Sequence, residues 1–116
     1  YNNFPYMGDS IIPIEYGTLG LIDPFENPVS AQFHHRLLAS ITLIIIVLYS
    51  INYIMKNPIN LRILILLFAI ICQFIIGVFT LLYSVPITLG AMHQFGGVLL
   101  FLSSIWLLHY PRNKTF

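Results

Sequence analysis

Polar and apolar residues fall into blocks along this chain rather than alternating. Leu37 to Met55 carries no charge and only short polar breaks at Ser40, Thr42, Ser50 and Asn52. Leu61 to Val85 and Ile87 to Leu108 are two further apolar runs, and the last is interrupted by a single ionisable residue, His93. Each run has about the 20 residues that a helix rising about 1.5 Å per residue needs to cross roughly 30 Å of hydrocarbon. Continuous apolar stretches without strict alternation argue against barrel strands, so the pattern predicts three membrane-spanning helices, over about 29–55, 61–84 and 86–109. The expected fold is therefore all-α and integral to the membrane, with an outer loop segment at 1–28 and a three-helix membrane domain at 29–116. Lys56-Asn57-Pro58-Ile59-Asn60 separates the first two spans and Ser84-Val85-Pro86 the last two, so neighbouring helices should run antiparallel.

Composition changes this picture little: at 58% hydrophobic and 8% charged residues, water is not the main solvent of the chain. A net charge of +1 gives nucleic acid no basic face to bind, and the membrane lipid is the expected surrounding. Charge placement says more. Lys56, Arg62, Arg112 and Lys114 collect on one side, which the positive-inside rule assigns to the cytoplasm or mitochondrial matrix. The four acids, Asp9, Glu15, Asp23 and Glu26, lie on the other side, in a segment punctuated by proline and glycine that reads as an ordered outer loop. Trp106 and Tyr110 suit interface anchors. The single cysteine, Cys72, sits in an apolar run and reads as a small buried or lipid-facing residue. With Tyr at position 1 and no leader before the first span, the natural start is expected to lie upstream.

Two histidines stand out. His35 lies seven residues after Pro28 and His93 seven after Pro86, both prolines being suitable helix starts. Because the first and third spans run the same way, equal offsets put both imidazoles at one depth, roughly 10 Å below the outer helix ends. Two facing imidazoles could grip one iron from both sides, the axial arrangement of a heme. Zinc suits the pair poorly, since it ordinarily takes four ligands. Ala31 and Ala39 neighbour His35 on its helix face, while Leu89, Gly90, Gly96 and Gly97 neighbour His93. The small size of the alanines and glycines would give a flat ring a slot, and it would equally let helices pack closely. An intramembrane histidine can likewise serve as a hydrogen-bonding group between helices. Arg36 is a candidate partner for a heme propionate or for Glu26. Gln32 and Gln94 could orient an imidazole or bond each other, Gln73 is a candidate for an interhelical bond, and His34, about 100° from His35, should face the loop or the propionate side.

The order of motifs resembles a known family. Tyr1-Asn2-Asn3-Phe4-Pro5-Tyr6-Met7-Gly8 is similar to an aromatic-Pro-x-Met-Gly segment, and Phe25-Glu26-Asn27 with Gln32-Phe33-His34-His35-Arg36 is similar to FEN and QFxHR motifs. Gln73, Gly77, Thr80, Leu81 and Leu82 resemble QxxxGxxTLL, and Val85-Pro86 with His93-Gln94 resembles a VP and HQ pair. The family is heme A synthase, in which two similar four-helix halves convert heme O to heme A for cytochrome oxidase. The resemblance implies that this chain corresponds to the C-terminal half, with His35 and His93 as ligands of a b-type heme and Arg36 and Gln94 beside it. It also implies that the reaction takes place in the other half, so that this chain alone is not active. The family's half has one more helix before the outer loop. A second polypeptide or an upstream segment is then expected to supply the fourth helix and the N-terminal half. The implied location is the mitochondrial inner membrane, with the bacterial plasma membrane as the alternative. A bis-histidine cytochrome b carrying electrons in a respiratory complex, or a structural subunit of one, is the rival reading.

Overall fold

The computed structural model describes residues 1–109; Tyr110, Arg112 and Lys114, assigned above to the interface and the basic side, lie outside the described residues. A 3-10 turn, Gly20–Ile22, leads into a short helix α1, Asp23–Glu26, and three long helices follow: α2, Pro28–Lys56, α3, Leu61–Leu82, and α4, Ile87–Leu108. At 29 and 22 residues these are about 43 and 33 Å long, enough to span the bilayer core. All three are long and apolar enough to cross a membrane, and most of their apolar side chains face outward, as lipid contact requires. The chain is an all-α integral membrane protein.

Capping chemistry sets the helix bounds. Asn27 Oδ1 accepts from the Val29 amide at 3.0 Å, with Pro28 in the first turn, and Asn60 Oδ1 accepts from the amides of Arg62 and Ile63. Helix α3 ends two residues earlier than the sequence pattern suggests, because Ser84 turns left-handed at φ 60°. The Val85 amide then donates to Thr80 O at 2.8 Å and the Ser84 amide to Leu81 O at 3.0 Å, the paired bonds of a Schellman cap. Val85 is also left-handed at φ 55°, an uncommon state for a β-branched residue, and Pro86 starts the next helix directly after it. The outer loop is ordered, and it contains two short helical turns that the proline and glycine punctuation did not suggest.

Helix α3 lies between the other two. Arg62 Nη1 donates to Trp106 O, Gln73 Nε2 to His93 O and Thr80 Oγ1 to Leu89 O, a register that runs α3 and α4 antiparallel. The tight packing is at the basic end, where Ile63, Leu66 and Leu107 are buried against Ile46, Tyr53, Ile54 and Leu100 from all three helices. Arg62 also stacks over the Trp106 ring at 4.9 Å, anchoring that end. Helices α2 and α4 stay more than 8 Å apart, Cα to Cα, along their described lengths. The bundle is thus closed below and cleft above, where the histidines are.

Candidate heme site

The cleft is a cavity of about 410 Å³, within the roughly 300–1,000 Å³ range of small-molecule and cofactor sites. His35 and Ala39 line it from α2, Gln73, Phe74, Gly77 and Leu81 from α3, and His93 from α4. The two imidazole centroids are 6.1 Å apart and their planes are inclined at 82°. Matched offsets from Pro28 and Pro86 thus end in side chains at one level. Two metal–nitrogen bonds of about 2 Å each, plus the half-width of each ring, give a centroid separation of about 6 Å. The pair therefore fits a single metal held between the rings. Among the described residues no group of three or more His, Cys, Asp or Glu converges to hold a metal ion.

The roof of the cavity is the outer loop, held by Arg36. Its Nη1 donates to the carbonyls of Asn3 and Tyr6 at 2.9 and 3.0 Å, and its Nη2 to that of Tyr1 at 3.0 Å. These carbonyls, rather than Glu26, are its partners. Gln32 Nε2 also donates to Tyr1 O, at 2.9 Å, so Gln32 belongs to the loop and bonds neither an imidazole nor Gln94. Phe4 descends from the loop to meet Phe74 edge-on at 6.1 Å, and both line the cavity. Asn2 Nδ2 donates to Ser84 Oγ at 2.9 Å and ties the loop to the α3–α4 corner. Beneath the loop, Asp23 accepts from the amides of Gly17 and Leu19, from Asn27 Nδ2 and from Ser30 Oγ. Burial works to raise the Asp23 carboxyl, but the bonds from Ser30, Asn27 and the two amides outweigh it and hold the group well below the ordinary carboxylate range.

Several expectations need correcting. Gln94 is exposed and does not line the cavity, because it sits one residue, about 100° of helix, beyond His93. Gly96 and Gly97 do not form a slot for a flat ring; they face the Gln73 amide and let α3 approach α4. Gly90 faces Val85, and Ala31 is exposed. Of the small neighbours singled out on the two histidine helices, Ala39 alone lines the cavity. His34 turns to the loop as expected, its Nε2 3.1 Å from the Tyr16 hydroxyl. Sequence reasoning missed the part played by Gly77, whose missing side chain leaves the space that the His93 ring occupies. The signal was the Gln73/Gly77 spacing of four, which puts both on one face of α3. Three polar atoms of the site, Arg36 Nε, Gln73 Oε1 and His93 Nδ1, are buried without a hydrogen-bond partner among the described residues.

Known proteins bear on this geometry. A family model described as cytochrome oxidase assembly protein matches residues 1–105. Heme A synthase of Wolbachia pipientis subsp. Culex pipiens (strain wPip) is 35% identical over 116 residues, 98% of this chain and 34% of its own length. That of Wolbachia pipientis wMel is 37% identical over 99% of this chain and 32% of its own, and that of Rickettsia bellii (strain OSU 85-389) 41% over 98% and 35%. The chain spans about a third of the length of these curated relatives. No solved structure matches it. With the family model covering nearly all of its residues and the relatives aligned along its whole length, the chain belongs to the heme A synthase family of cytochrome oxidase assembly proteins.

Proposed function

We propose that this chain is the heme-binding C-terminal part of a heme A synthase, in which His35 and His93 are the axial ligands of one b-type heme. The observation that carries the reading is the pair of imidazoles 6.1 Å apart across the cavity, the spacing that a single iron between them takes. A heme held in this way supplies one-electron transfer and, with both axial positions filled by protein, offers oxygen no open site. The residues around it play separate parts. Arg36 fastens the loop with its two terminal nitrogens, and its buried Nε–H, without a partner among the described residues, would be the donor for a propionate carboxylate, a charge-assisted pairing. Phe4 and Phe74 cover the apolar part of the cavity and exclude water.

Oxidation of heme O to heme A then belongs to the rest of the protein, which also supplies the fourth wall of the cradle. Helices α2 and α4, which leave a cleft between them, support that division. The surrounding membrane is the mitochondrial inner membrane or, as in the bacterial relatives' organisms, a bacterial one.

The test is a reduced-minus-oxidised spectrum of the chain purified with its native neighbours. A low-spin heme signal is expected, lost in both His35→Ala and His93→Ala. A signal that survives either substitution removes that histidine from the site. A heme that is present while cellular heme A does not depend on the chain would favour an electron-carrier subunit instead.

A further inference from the structure

Helix α3 carries no ligand, yet it is the helix that His93 rests on. Gln73 Nε2 donates to the main-chain carbonyl of His93 at 2.7 Å, and its amide lies against Gly96 and Gly97. One turn further along α3, a Cβ added to Gly77 would lie 2.7 Å from His93 Cε1 and 3.3 Å from Nδ1, closer than such contacts allow. The two residues therefore act on different parts of the same histidine: Gln73 on its backbone, Gly77 on its ring. No hydrogen bond orients the ring through Nδ1, which has no partner among the described residues.

We propose that Gln73 and Gly77 are positioning residues that set the plane and depth of the His93 imidazole, and with it the near-perpendicular arrangement to His35. A ring without a hydrogen bond at Nδ1 cannot be oriented in the usual way, by an acceptor behind it. Shape does so instead, since the ring edge is seated in the space over Gly77 while the carbonyl bond from Gln73 fixes the stretch of α4 that bears it. The inference rests on the proposed heme ligation and adds what fixes the ligand plane.

The angle between two axial imidazole planes governs the anisotropy of the ferric low-spin g-values, so electron paramagnetic resonance of the protein purified with its native neighbours reads the proposal directly. Gly77→Ala should shift the largest g-value, because the methyl group displaces the ring, while the optical spectrum stays low-spin. Gln73→Leu, similar in volume but without the donor, should broaden or shift the same signal and weaken heme retention by about tenfold, as loss of supporting contacts around a ligand does. Gly90→Ala serves as the packing control, its Cβ meeting nothing closer than Val85 Cγ1 at 3.8 Å, and should leave the signal unchanged. Wild-type g-values and retention in both Gly77→Ala and Gln73→Leu overturn the proposal, as does a Gly90→Ala shift equal to that of Gly77→Ala. A wild-type protein without heme, or heme retained in His93→Ala, overturns the ligation itself and is told apart on that ground.

Discussion

At the scale of single residues, Arg36 shows how one side chain organises a surface. A guanidinium presents donors in a rigid fork, and here the fork gathers three carbonyls of the first six residues that no regular ladder satisfies. Hydrogen bonds from a charged group are worth about 1.5–3 kcal/mol each, though not additively, so Arg36→Ala should weaken loop docking by at least about 2 kcal/mol. Hydrogen exchange over residues 1–8 is the measurement, and faster exchange there with unchanged protection in α3 is the expected result. Arg36→Lys should recover part of the effect, since an ammonium is a point donor that cannot span three carbonyls. Arg36 was legible in the sequence as the sole basic residue of the outer side, but its loop-binding role was not. That depends on where the loop carbonyls fall, and backbone carbonyls leave no mark on side-chain identity.

At the scale of elements, the loop is locked to the start of α2 through Asp23, which joins two loop amides to Asn27 and Ser30. Its folded carboxyl titrates below its unfolded value of about 3.9, so the unfolded chain binds the proton more readily. The stability it contributes is therefore complete above about pH 4 and lost only as pH falls through the lower folded value. Limited proteolysis of residues 15–27 should stay slow from neutral pH to about pH 4 and quicken below it. Asp23→Asn should already be cut quickly at neutral pH, because an amide cannot accept all four bonds as a carboxylate does. Proline and glycine spacing marked this segment as ordered, but the helical turns at Gly20–Ile22 and Asp23–Glu26 were beyond it, since the buried Asp23 carboxylate that ties the residues on either side of them together finds its partners only in the folded chain.

At the scale of the whole molecule, packing and chemistry sit at opposite ends. Ile63, fully buried, belongs to the cluster at the basic end, whereas the cavity opens toward the outer loop. In lipid the transfer part of a core substitution is small, so Ile63→Ala should cost about 1–2 kcal/mol, chiefly through lost contacts. Thermal unfolding in detergent should report that loss while the heme spectrum of the folded protein stays as in wild type. A spectrum that changes in step with stability would mean that the two ends are coupled.

The three spans, their antiparallel order and the common level of His35 and His93 follow from the sequence alone, because lipid enforces length and apolarity and helix rise is fixed. Choosing between a slot for a flat ring and a bed for a helix was not possible there, since glycine favours both. Tertiary packing decided it: docking of α4 on α3 turned Gly96 and Gly97 toward Gln73, set His93 over Gly77 and left Gln94 outside. A one-dimensional pattern records which side chains are small or apolar, but not which neighbouring helix comes to fill the space they leave.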